Sequence, residues 1–187
     1  MANQDAPFGF RPVAKTGSSP DSSGYSEYGI SSGYATAIYE GDAVKMTASG
    51  VVALAAAGDR LLGVAGGVSY TDPTTEQPTY SNKYPGGVAA SDIKIQVYDD
   101  PNQLFLVQSA GTVATTNIGN NADLSYTTGN SKSGVSKAEL SGTMAATGAQ
   151  FRIVRVSNDP ENSTTGSANA NVIVRIDEHF YGTETGV

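Results

Sequence analysis

Residues 91–108, SDIKIQVYDDPNQLFLVQ, constrain the fold of this 187-residue chain more than any other stretch. Ile93, Ile95 and Val97 alternate with Lys94, Gln96 and Tyr98. A period of two places the aliphatic side chains on one face of an extended strand and the polar ones on the other. Asp99-Asp100-Pro101-Asn102 then interrupts the run. Proline fixes φ, and Asp and Asn bond to nearby backbone, so these four residues form a turn. Leu104 to Val107 returns as a continuous apolar run, the signature of a strand buried on both faces. The pattern predicts a β-hairpin, and nothing in it is catalytic.

The rest of the chain agrees with a β-rich fold. It contains 22 glycines with abundant Ser, Thr and Asn, while charged residues make up only 16%. That composition favours turns and strands over helices. Short strands are expected within 37–67, where Leu61 to Ala65 contains Gly63, a sign of a bulge or of close backbone approach. Residues 69–90, with three prolines and a Gly-Gly pair, read as a long loop. Residues 111–149 are polar, and Val135 to Leu140 fits a short helix or a strand equally well. Phe151 to Val156 and Asn171 to Ile176 read as two strong strands that pair antiparallel across a loop. Val172, Val174 and Ile176 share one face of the second. The expected fold is mainly β: a small antiparallel β-barrel or sandwich spanning 37–187, with long loops and an extended N-terminal arm.

The arm is residues 1–36. Pro7, Pro12 and Pro20 punctuate it, and Gly and Ser dominate its second half. Such segments are normally flexible linkers. This one also carries Phe8, Phe10, Arg11, Tyr25, Tyr28 and Tyr34, side chains suited to contacts. They are expected to order the arm against a neighbouring subunit or another protein.

Several function classes lose support. The net charge is −7, with no Lys/Arg cluster to follow a phosphate backbone, so no nucleic-acid partner is expected. There are no cysteines, hence no disulfide, zinc–thiolate site or thiol nucleophile. The N-terminus lacks a basic, apolar signal pattern, and no apolar run approaches the ~20 residues needed to cross a membrane. Gly29-Ile30-Ser31-Ser32-Gly33 matches the nucleophile-elbow spacing but lacks its strand and helix context. His179, the single histidine, follows Asp177 and Glu178, but adjacent strand residues point to opposite faces and a metal needs converging ligands. It reads as a structural or surface histidine. Asp99 and Asp100 read as turn formers, and Asn162-Ser163-Thr164 as a glycosylation sequon without a secretory context. The sequence is therefore that of a non-enzymatic binding or structural module without a cofactor.

Several stretches resemble one family of virion structural proteins of tailed bacteriophages. These are NQDAPFGFRPV, ATAIYEGDAVKM, VYDDPNQLFLVQ, NIGNNADL, SKAELSG, QFRIVRV with the following NDPEN, and NVIVRIDEHFYGTETGV. Together they span most of the chain in the family's order. The resemblance implies a capsid decoration, or cement, protein, made in the host cytoplasm and bound to the exterior of the major capsid protein shell. It implies a homo-oligomer, a trimer at local threefold axes, and an arm that orders on the shell. The competing expectation is a receptor- or carbohydrate-binding virion module, such as a tail-fibre head, with tyrosines stacking on sugars.

Overall fold

The computed structural model of the protein describes residues 3–17 and 24–182; Pro20 and its neighbours in the arm, and the last five residues of the C-terminal resemblance, lie outside the described residues. In chain order the strands are β1 (Arg11–Lys15), β2 (Ser26–Gly29), β3 (Ile38–Tyr39), β4 (Ala43–Met46), β5 (Val52–Leu54), β6 (Gly63–Thr71) and β7 (Pro78–Ser81). They continue with β8 (Lys83–Tyr84), β9 (Lys94–Tyr98), β10 (Gln103–Gln108), β11 (Asn121–Ser125), β12 (Glu139–Ala145), β13 (Phe151–Val156) and β14 (Asn171–Ile176). Two 3₁₀ turns, Thr115–Asn117 and Phe180–Gly182, are the helical elements among the described residues. None of these is long and apolar enough to cross a membrane.

The strands form two open, antiparallel six-stranded sheets. The first runs β1-β10-β14-β13-β11-β12. The second runs β2-β9-β6-β4-β5, with β7 added to β6, and β3 pairs with β8 as a small separate ribbon. Neither sheet closes into a barrel; the architecture is that of a sandwich.

Register explains the inner layer of the first sheet. Phe105, Val174 and Ile153 lie opposite one another across three strands, and Ile176, Phe151 and Ala122 form a second row. Val107 pairs with Val172 in a third. All these side chains are fully buried or nearly so, in one cluster with Ala43, Leu61 and Val64 from the second sheet's side. The β13–β14 pairing is the one expected from sequence. On the other face of this sheet Arg152 lies opposite Arg175, and like charges so placed repel. Asp177 accepts from Arg152 at 2.8 Å and from Arg175 at 3.0 Å, which neutralises the pair.

At β4 and the start of β6 the second sheet is buried on both faces. Ala43, Leu61 and Val64 point to the first cluster, while their neighbours Val44, Leu62 and Ala65 point to a second. That second cluster includes Ile95 and Val97, and it is covered by Ile30, Ile38, Tyr84 and Ile93. Gly63 is where the sheet admits no side chain: a Cβ there would run into the backbone carbonyl of Tyr98. The expected close approach is therefore present.

Three expectations change. First, β9 and β10 do not pair. β9 lies between β2 and β6 in the second sheet, while β10 lies between β1 and β14 in the first. Asp99–Asn102 is a turn, as its residues require, but it carries the chain from one sheet to the other. The alternation holds: Ile93, Ile95 and Val97 are buried and Lys94 is exposed. Second, the N-terminal segment is not an appendage. β1 borders β10 in the first sheet and β2 borders β9 in the second, so the segment contributes an edge strand to each sheet. Third, the Pro-rich 69–90 stretch holds the end of β6 and the strands β7 and β8. Val135–Leu140 divides between an isolated bridge from Val135 to Glu40 and the start of β12.

Candidate functional site

The six side chains expected to face a partner separate into two groups. Phe10, Tyr28 and Tyr34 are used inside the chain. Phe10 is 1% exposed and stacks on Phe151 with ring centroids 4.5 Å apart and planes within 13°. The expectation that it contacts a partner is corrected by its place in the larger core. Gly9 makes the approach possible: its φ is +75°, and a Cβ would lie 2.6 Å from that of Ser136. Phe10 N then donates to Gly41 O at 2.9 Å. Tyr28 donates to Asp99 Oδ2 at 2.5 Å, and its hydroxyl lies 2.8 Å from that of Tyr181. Burial, with the carboxylate beside it, pushes the Tyr28 hydroxyl's pKa up. Tyr34 packs on Tyr84 at 6.2 Å and accepts a hydrogen bond from Leu54 N at 3.1 Å.

Asp99 and Asp100 thus serve more than turn geometry. Asp99 holds β2 through Tyr28, and Asp100 holds β1 through Lys15 at 2.6 Å. Lys15 and the Asn102 N–H keep the Asp100 carboxyl below its ordinary range. The crossing turn is locked to one N-terminal strand in each sheet.

The remaining three, Phe8, Arg11 and Tyr25, stay at the surface and lie around one feature. Arg11 lies over the Phe8 ring, 4.4 Å from its centroid. Both line a hollow of about 170 Å³ against Glu40 and Tyr98. Tyr25 meets Tyr98 edge to face, with centroids 6.3 Å apart. Glu40 and Tyr98 also line a groove of about 450 Å³ on the second sheet. β6 is its floor, at the Gly66–Gly67 bulge where the register with β9 shifts. Gln96 and Tyr98 on β9 form one wall, and Tyr80 and Asn82 form the other. Tyr80 is 82% exposed and also borders a further hollow with Thr71 and Asp92. Burial, with Glu40 and Tyr25 nearby, raises the Tyr98 hydroxyl's pKa.

Sequence reasoning missed the groove because its residues are separated along the chain; the scattered tyrosines were the only signal. It also missed what anchors the first residues. Gln108, fully buried, accepts from Ala6 N at 2.9 Å and donates to Gln4 O at 2.9 Å. Asn162 accepts from Gln4 N at 2.8 Å and donates back to Gln4 O at 2.9 Å. The sequon asparagine is therefore 6% exposed and fully engaged, with no amide free for a glycan.

The elbow-like Gly29–Gly33 leaves β2 into a turn, and no helix follows. His179 is 2% exposed and structural. Its Nδ1 accepts from Tyr181 N at 3.1 Å, which puts the proton of the neutral ring on Nε2, a nitrogen without a partner among the described residues. Burial lowers its pKa against the opposing pull of Asp99 and Asp100. No group of three or more potential metal ligands occurs among the described residues.

Comparison with protein-family models, with curated proteins and with solved structures finds no match.

Proposed function

We propose that the protein is a capsid decoration protein of a tailed bacteriophage. It binds the exterior of the major capsid protein shell, without catalysis, as a homo-oligomer, a trimer at local threefold axes. The sequence resemblance is one support, and its segments belong to one structural unit. NQDAPFGFRPV and VYDDPNQLFLVQ supply β1, the crossing turn and β10, while QFRIVRV and NVIVRI supply the neighbouring β13 and β14.

The structural observation that carries the reading is that β1 is an edge strand. Among the described residues it ends the first sheet and its strand pairing is on one side only, with β10. Val13, at the register shift in this strand, is 39% exposed; Phe8 and Arg11 line the hollow at the start of the strand, and Tyr25 packs on Tyr98 of the same hollow. Such an edge has backbone groups to offer and apolar side chains to bury, which suits docking on a repeating surface. A ligand bound only to the assembled shell stabilises that shell by mass action.

The test has two parts. The copy number in purified virions should be commensurate with the capsid lattice; a handful of copies per particle would place the protein in the tail and defeat the proposal. In co-sedimentation with undecorated, expanded shells, Arg11→Glu and Tyr25→Ala should lower occupancy at sub-saturating protein while the fold is retained.

A further inference from the structure

The groove on the second sheet has a composition that shell docking through the β1 edge leaves unused. Cross-strand register sets which side chains face it. Ser69 lies opposite Lys94 on one side and Tyr80 on the other, so all three share a face, and Gln96 and Tyr98 follow on that face along β9. This is the face opposite buried Ile95 and Val97. From Tyr80 on β7 across β6 to Gln96 on β9 the groove spans two strand spacings, about 10 Å, long enough for two linked rings rather than one.

The polar groups around the groove are side-chain amides, hydroxyls and a carboxylate. The Gln96 amide is half-buried and has no hydrogen-bond partner among the described residues. The Asn82 amide donates to Ser133 O at 2.8 Å and lies 3.4 Å from Glu40, and its oxygen packs against Gly134, so this side chain holds the wall in place. Tyr80 stands between this groove and the Thr71–Asp92 hollow with its ring in solvent. A bare aromatic ring flanked on both sides by hydrogen-bonding groups offers an apolar face and a polar rim to one ligand. At Val68 and Ser69 β6 is paired along both edges, with β9 and with β7, which leaves a peptide strand little backbone there. Glu40 lines the groove and Asp92 the adjoining hollow, in a chain of net charge −7, an environment unfavourable to an anionic polymer despite Lys94.

We propose that this groove binds an uncharged oligosaccharide. Tyr80 stacks against a sugar ring, and Gln96 and Tyr98 hydrogen-bond to its hydroxyls. The reading is independent of capsid docking, since it uses a different part of the surface and a different ligand.

The full-length protein is run in affinity gel electrophoresis against laminarin, mixed-linkage β-glucan, xylan, galactomannan and dextran, with alginate as a charged control. Any neutral polysaccharide that retards migration is then titrated by calorimetry. Tyr80→Ala is expected to weaken association by about tenfold or more, because the apolar ring face that the sugar would cover is lost. Because Tyr80 is solvent-exposed, its thermal midpoint should not move. Gln96→Ala should weaken binding as well, whereas Tyr181→Ala, at an exposed tyrosine outside the groove, should not. The proposal is overturned if no neutral polysaccharide on this panel is bound, if alginate alone is bound, or if Tyr80→Ala binds as tightly as the parent. Shell co-sedimentation of the same variants keeps the two proposals apart: Tyr80→Ala should decorate normally.

Discussion

Asp42 is a fully buried carboxyl, and its titration should be visible in the stability of the whole protein. It lies in the turn before β4, where its Oδ2 accepts from Tyr39 N at 2.8 Å and its Oδ1 from Ser136 Oγ at 2.5 Å. Burial raises its pKa from 3.8 to about 6, more than these two hydrogen bonds lower it. The folded state therefore binds more protons than the unfolded one between those values, and stability falls as pH rises through the window. At 1.36 kcal/mol per pKa unit, ionising Asp42 in place costs roughly 3 kcal/mol by the time the pH passes 7. Asp42→Asn removes the titration. Any pH-independent cost of repacking the amide against Ser136 is the same at every pH, so the informative quantity is the change in the difference between variant and parent. Urea unfolding at intervals from pH 4 to pH 8 measures it. Relative to the parent, the variant should gain stability over that range, by up to roughly 3 kcal/mol. His179, whose pKa burial lowers, contributes the opposite slope below its ordinary value of 6.5, but equally to both proteins. A difference that stays flat from pH 4 to pH 8, or that shrinks, refutes the assignment of a raised pKa to Asp42.

Two further perturbations probe the N-terminal segment. Phe10→Ala removes a fully buried ring stacked on Phe151 and should cost about 3–5 kcal/mol in denaturant unfolding; deleting residues 1–36 removes the same ring and two strands, so the truncated chain should lose its cooperative unfolding transition. Gln108→Ala leaves the Ala6 N–H without its acceptor and removes one of the two donors to Gln4 O, which costs about 1–3 kcal/mol, and should speed amide exchange selectively over residues 4–8.

Local chemistry alone settled a good deal of this fold. The alternation of Ile93, Ile95 and Val97 with polar neighbours determined which side chains would be buried, because strand geometry turns a period of two into two faces whatever lies beyond them. Asp99-Asp100-Pro101-Asn102 determined a turn, because Pro restricts φ and Asp100 caps the Asn102 N–H from within the turn, at 2.8 Å. The paired β13 and β14 were legible because each carries a full apolar face. What those faces would meet was not legible. A turn of this composition serves a hairpin or a crossing between sheets, and the choice rests on pairings with β2, β6, β1 and β14, which lie far away in sequence. The same holds for the N-terminal residues. Proline, glycine and scattered aromatics read as an arm, because the groups that hold it are remote: Phe151 for Phe10, Asn162 for Gln4, Asp99 for Tyr28. The groove is the extreme case. Tyr80, Gln96 and Tyr98 share a surface only because β7, β6 and β9 lie side by side in register, and only the tertiary structure, by burying the opposite face of that sheet, decides that this face meets solvent.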